Sequence, residues 1–245
     1  MSNGKFFFGY PKDFKGKFFI YPPLVKDVIG NDNYSLYYKI LTISQEDIED
    51  MYKDEEKPDL ISQTPFQFLM NNCEQDKIYK QQVENAFLFF TKQPITFLFD
   101  IKAILIGRLE EVVKNIKNLN ELILLKEEDF FEFQNMVRNS AGEKDIEPSK
   151  PNEDPRIKRI KAKARYRDKI KAKKGGGISL ETMLAALCCL EIGLNPINIQ
   201  EITLAAAMKI FSMHSDKEKY ENAVKSLLAG AKKKDVKLEY WIKND

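Results

Sequence analysis

Apolar positions along this chain recur with two periods, and the places where the period changes outline its elements. Near the N-terminus "GKFFIYPP" alternates like a short strand and is stopped by Pro22-Pro23, because proline cannot continue a hydrogen-bonded ladder. "DNYSLYYKILTI" and "SQEDIEDMY" read as helices, and Ser44 followed by Glu46, Asp47 and Asp50 suits a helix N-terminus. In "TPFQFLMNN", Thr64 is an N-cap and Pro65 the first helical residue. "DKIYKQQVENAFLFFTKQ" places Ile78, Val83, Ala86, Phe87 and Phe90 on one helical face. "ITFLFDIKAILIG", β-branched and aromatic between Pro94 and Gly107, predicts strands. In "KEEDFFEFQNMVRNSAG" the helical period returns: Phe130, Phe131, Phe133, Met136 and Val137 share a side, and Gly142 ends it.

The C-terminal part predicts three helices. "SLETMLAALCCLEIG" is apolar on nearly every side, so protein must surround it, and it stops at Gly193. "NIQEITLAAAMKIFSM" opens with Asn198 and Glu201 at capping-box spacing, and "SDKEKYENAVKSLLAG" repeats the device with Ser215 and Glu218. In the latter, Tyr220, Ala223, Val224, Leu227 and Leu228 form a stripe that Gly230 ends. The expected fold is therefore α+β and mainly helical. Residues 1–141 form an α+β domain with a small sheet, 142–177 a linker with a basic helical connector, and 178–245 a three-helix module.

Charge marks the same boundaries. Residues 1–155 carry 19 basic and 27 acidic side chains, a net −8, whereas 156–177 carry 11 basic and one acidic, a net +10. Residues 178–245 are neutral, which recovers the whole-chain value of +2. "GEKDIEPSKPNEDP" (142–155), with three prolines and five acids, reads as a linker, and Gly175-Gly176-Gly177 as a flexible stop. In the basic run Ile157, Ile160, Ala164 and Ile170 make no broad apolar face, which argues against a membrane-surface helix. Arg156, Arg159, Arg165, Arg167 and Lys171 would carry non-specific nucleic-acid binding by counterion release, the alternative function. A solvated helical spacer of roughly 28 Å is the plainer reading of its nineteen residues. No apolar run approaches the ~20 residues of a membrane span, and the start of the chain lacks the apolar core of a secretory signal.

Candidate chemistry is sparse, and neither cofactor nor metal is expected. His214 is the only histidine and has no Cys or His at zinc-ligand spacing. Cys73, Cys188 and Cys189 read as reduced packing thiols, since Cys188 and Cys189 lie in an apolar helix and none forms a CxxC. Pro58-Asp59 with Asp100-Ile101-Lys102 on a strand imitates a Mg²⁺-nuclease pattern, but a chain with 31% charged residues produces so short a match by chance. The expectation is a protein without enzymatic activity. The apolar surplus of 178–245 points instead to a partner surface around Leu184, Leu187, Ile210 and Phe211.

The C-terminal "LAGA", a Lys-rich step and "KLEYWI" comprise Leu228, Ala229, Gly230, Ala231, Lys237, Leu238, Trp241 and Ile242. With "FIYPPLVKDVIG", "TPFQFLMNNC" and the Lys-rich connector, this resembles the tail assembly chaperone-like proteins of phages and prophages, encoded near the tape-measure gene. "TLAAAMKIF" departs from that family, being alanine-rich where aromatics are usual. The resemblance implies a chaperone that binds the tape-measure protein and delivers it for tail-tube assembly in the host cytoplasm. It adds Leu228 and Trp241 to the partner surface. It also implies association with other copies of the chain or with a longer frameshifted form, for which Lys173-Lys174-Gly175 is a candidate site.

Overall fold

The computed structural model describes residues 4–52, 62–107, 122–146, 156, 178–190 and 192–242. It is α+β and mainly helical, with nine helices and two small sheets among the described residues. The chain divides into two compact units, residues 1–145 with 200–206, and 146–199 with 207–245.

The first unit begins with a short helix α1 (Gly4–Phe7) and a hairpin of β1 (Lys12–Phe14) and β2 (Phe18–Ile20). Lys15 and Gly16 at the hairpin turn both take positive φ, 55° and 69°. A non-glycine residue there is uncommon. The Asp13 carboxylate accepts the Gly16 N–H at 2.6 Å and so supports the turn, while the Lys15 side chain is held by carboxylates outside it. After Pro22-Pro23 come α2 (Val25–Ile29), α3 (Tyr34–Thr42), α4 (Gln45–Tyr52), α5 (Pro65–Gln75) and α6 (Lys77–Thr91). A three-stranded antiparallel sheet, β3 (Ile95–Leu98), β4 (Ala103–Ile106) and β5 (Leu124–Leu125), precedes α7 (Glu127–Ser140).

The start signals act as their chemistry requires. Thr64 accepts the Gln67 N–H at 3.3 Å and Gln67 returns the bond, while Asp76 accepts from Ile78 and Tyr79. Ser44 and Asp47 form the same reciprocal pair at the head of α4. Two predicted core residues lie outward: Ile78, in the first turn of α6, is 70% exposed, and Phe131 stands on the outer side of α7. The buried faces are Val83, Ala86, Phe87 and Phe90 of α6, and Phe130, Phe133, Met136 and Val137 of α7. Their rings interlock: Phe87 stacks on Phe133 with centroids 5.0 Å apart, and Phe14 and Phe18 approach the same ring at 6.1 Å.

Polar side chains of α7 complete this core. The buried Gln134 amide donates to the carbonyls of Leu41 (3.1 Å) and Ile43 (2.8 Å), groups that the end of α3 leaves without helical partners. Asp129 receives the ammonium groups of Lys15 and Lys17, each at 2.6 Å. Glu127 accepts from Thr64 and Gln67, which ties the start of α7 to the start of α5.

Residues 200–206, expected with the C-terminal module, belong to the first unit. Leu24 and Thr203 form an antiparallel bridge, with Val25 N–H donating to Ile202 O and Leu204 N–H to Pro23 O, both at 2.9 Å. The Thr203 hydroxyl donates to Phe7 O, and Lys26 pairs with Glu201 at 2.9 Å. The physical reason is that the backbone after two prolines has pairing groups to satisfy, and this segment supplies the partners.

In the second unit, α8 (Leu180–Cys188) follows the cap at Ser179, whose oxygen accepts the Thr182 N–H. It stops well before Gly193 and buries one stripe, Met183, Leu184 and Leu187, rather than its whole circumference. The two further predicted helices are one: α9 (Leu204–Leu228) runs for 25 residues, the first three of them in the segment 200–206 that belongs to the first unit. No Gly or Pro interrupts it, so Ser215 and Glu218 are ordinary helical residues. The working N-cap is Thr203, which accepts the Ala206 N–H at 3.0 Å. Asn198 sits in a separate 3-10 turn (Asn198–Glu201). The basic connector, with Arg159, Arg165, Arg167 and Lys171, lies outside the described residues, as do Pro58 and Asp59.

Two consequences are measurable. Gln134→Leu removes the amide but leaves two buried carbonyls, and is expected to cost about 2 kcal/mol in urea unfolding; an unchanged midpoint would refute the role given to Gln134. For Asp129, hydrogen bonds from Lys15 and Lys17 hold the carboxyl below its usual range. A carboxylate with a lowered folded pKa stabilises fully above its unfolded value of about 4 and loses that contribution as the pH falls through the folded pKa. Asp129→Asn should be less stable than the parent by about 1 kcal/mol at neutral pH, and the two thermal midpoints should converge in acid below about pH 4. Parallel curves would contradict this.

Candidate functional site

The residues singled out from the sequence take three different positions. Leu184 and Leu187 are buried within the chain, so they offer no free surface for a partner. Ile210 and Phe211 on α9 are half-buried, and so is Trp241. Leu228, in the last turn of α9, is 84% exposed. Arg156 is exposed.

What brings part of this set together is the end of α9. The N–H of Ala231 donates to Ser226 O and that of Gly230 to Leu227 O, both at 3.0 Å, with Gly230 at φ +95°. This paired 6→1 and 5→2 closure needs a residue in the left-handed region, which glycine adopts without a Cβ penalty. It reverses the chain, and the tail returns along the helix. Tyr240 meets Tyr220 edge-to-face at 5.6 Å, and Trp241 lies 6.3 Å from Tyr240. Between tail and helix is a cleft of about 300 Å³, lined by Asp216 and Tyr220 on one side and Lys237, Tyr240 and Trp241 on the other. Its charges are locally matched, Lys219 with Asp216 at 3.0 Å and Lys237 with Glu239 at 2.6 Å. Glu239 raises the Lys237 pKa through its hydrogen bond.

Tyr220 and Tyr240 are the functional candidates that sequence reading did not select. Both were visible, one in the stripe of α9 and one beside Trp241. The signal that joins them is Gly230, since a left-handed cap turns the following chain back towards its own helix.

The nuclease-like pattern differs from its reading in the half that the structure describes. Asp100 and Lys102 are not on a strand: Asp100 is in the 3-10 turn Phe99–Ile101 between β3 and β4, and Lys102 follows at φ 47°. Both are exposed. Among the described residues no group of His, Cys, Asp or Glu could hold a metal ion. His214 Nδ1 lies 3.9 Å from the i+4 carboxylate of Glu218. No helix among the described residues is long and apolar enough to cross a membrane.

The thiols differ sharply. Cys73 is buried, and burial first, with the nearby Glu84 charge second, pushes its pKa up to about 12, whereas Cys189 is exposed. Since only the thiolate reacts, a disulfide reagent at pH 8 should modify Cys189 promptly and Cys73 only after unfolding. Cys189→Ser should remove the fast phase; a fast phase that persists in a Cys188→Ser, Cys189→Ser chain would refute the assignment.

Comparison with family models, with curated proteins and with solved structures finds no match to this chain.

Proposed function

We propose that this chain is a tail assembly chaperone of a long-tailed phage, which binds the extended helices of the tape-measure protein through its second unit. The observation that carries the reading is α9: beyond Ala207 none of its residues is buried, although Ile210, Phe211, Met213, Val224, Leu227 and Leu228 are apolar. Ile210, Phe211, Val224 and Leu227 are half-buried and Met213 and Leu228 exposed, and apolar side chains left incompletely covered along a helix are what a chaperone of long helices needs. It shields a partner's apolar stripe by burying its own, at roughly 25 cal/mol per Å². The C-terminal pattern at Leu228–Ala231 and Lys237–Ile242, through which the chain resembles the family, occupies the far end of the same surface. The partner surface accordingly centres on Phe211, Leu228 and Trp241 rather than on Leu184 and Leu187.

A second reading has its own observation, the net +10 of residues 156–177. It makes Arg156, Arg159, Arg165, Arg167 and Lys171 phosphate contacts, and the two readings respond oppositely to salt. Nucleic-acid affinity falls steeply with ionic strength, whereas apolar association does not.

The test is co-expression with segments of a tape-measure protein, comparing the full chain with Leu228→Asp and Phe211→Asp. The chaperone should hold a segment at high salt. Leu228→Asp, at an exposed position, should weaken capture about tenfold without moving the thermal midpoint, as expected of a side chain central to an interface. Capture that survives both substitutions, or only salt-sensitive retention of nucleic acid, would sink the proposal.

A further inference from the structure

The cleft between α9 and the returning tail is walled by rings and carboxylates, and its lysines reach outward. Tyr220 and Tyr240 meet at an interplanar angle of 88°, so the corner between them is bounded by two aromatic faces. Trp241 adds a third ring, tilted by 49° to Tyr240. All three line a space of about 300 Å³ together with Asp216, Lys219, Lys237 and Glu239. Two cations and two anions cancel in number, but they are not placed alike. The side chains of Lys219 and Lys237 are 73% and 85% exposed, against 32% for Asp216 and 53% for Glu239. The lysines extend into solvent, while the acids, Asp216 most of all, are held against the protein. The face of an aromatic ring is itself negative, so the rings and the carboxylates favour the same sign of charge.

We propose that this cleft is a binding site for a weakly hydrated organic cation, a quaternary ammonium group of the size carried by choline. Ring faces attract such a cation within about 6 Å of their centroids, Trp most strongly. A primary ammonium is a poorer ligand, because its tight hydration must be stripped before it reaches the rings. An anion fits worse still, since it meets three negative ring faces and finds cations only on the rim. The ion pairs already present do not close the site. Pairs as exposed as Lys219–Asp216 and Lys237–Glu239 are weak, and an arriving cation can share the Asp216 carboxylate with Lys219. The volume sets the scale: 300 Å³ is at the lower limit of small-molecule pockets, which run from roughly 300 to 1,000 Å³. It takes a headgroup rather than an extended chain. This binding is separate from the capture of a partner helix, so the two readings fail independently.

Trp241, the only tryptophan of the chain, is a wall of the cleft and reports on its occupancy. The full chain is titrated with choline chloride against sodium chloride of equal ionic strength, and with the uncharged isostere of choline in which carbon replaces the nitrogen. Choline should change the Trp241 emission with a Kd on the order of 1 mM, and the uncharged isostere should need at least about tenfold more. Tyr240→Leu, which removes one ring, should weaken choline about tenfold, and Asp216→Asn about threefold. Tyr220→Phe keeps the ring face and should bind like the parent chain. Circular dichroism checks that each variant keeps its helix, and Asp216→Asn serves as the test should Tyr240→Leu lose it. A response no stronger for choline than for its isostere, no response up to about 100 mM, affinity unchanged in Asp216→Asn and Tyr240→Leu, or a response to inorganic phosphate in place of choline would overturn the site.

Discussion

The phenyl ring of Phe133 is the contact on which the first unit depends. It stacks on Phe87 of α6 at an interplanar angle of 4° and meets Phe14 and Phe18, the residues on either side of the hairpin turn. Phe130, one turn earlier, extends the set to Phe66 of α5 at 5.3 Å. One helix therefore binds a hairpin and two other helices through adjacent rings, each pair worth about 0.5–1.5 kcal/mol beyond its buried area. On the packed sides of such a helix, polar residues face protein and must find partners there. Asp129 takes two ammonium groups, Gln134 takes two carbonyls, and Asn139 donates to Asp145 at 2.7 Å. Aromatic packing fixes the position of α7, and these polar contacts fix its register.

Local signals in the sequence were legible where the chemistry is local. The caps at Ser44, Thr64 and Gly142, the strand ended by Pro22-Pro23 and the strands after Pro94 each depend on a few adjacent residues. Three misreadings share a different cause. Ile78 and Phe131 fit an apolar face by angle, but which margin of a wide face is covered depends on the neighbouring element. The apolar circumference of α8 predicted burial all round, and the structure buries one stripe. Ser215 and Glu218 have the spacing of a capping box, yet a cap acts only where the backbone leaves the helix, and nothing between Leu204 and Leu228 makes it leave.

Residues 200–206 were the least legible because their partners are nearly 180 residues away. A bridge between Leu24 and Thr203, a hydroxyl on Phe7 O and an ion pair with Lys26 have no periodicity to betray them. The same limit applies to the candidate site. Tyr220, Tyr240 and Trp241 were each conspicuous, but their meeting depends on the reversal at Gly230.

That reversal and the cap at Thr203 together explain how α9 persists with so little burial. An isolated helix of its length is marginal in water, and most helices gain their stability from a packed face. α9 has both ends closed instead, by the Thr203 hydroxyl at one and the Gly230 turn at the other. Along its exposed middle, Lys219 pairs with Asp216 and Lys217 with Glu221, contacts worth a few tenths of a kcal/mol each. Its first turn, Leu204–Ala207, is buried, and beyond it the lateral face is half-buried or exposed. In α9 that face carries Met213, Val224, Leu227 and Leu228. Apolar side chains that are half-buried or exposed would gain from any further burial, at roughly 25 cal/mol per Å².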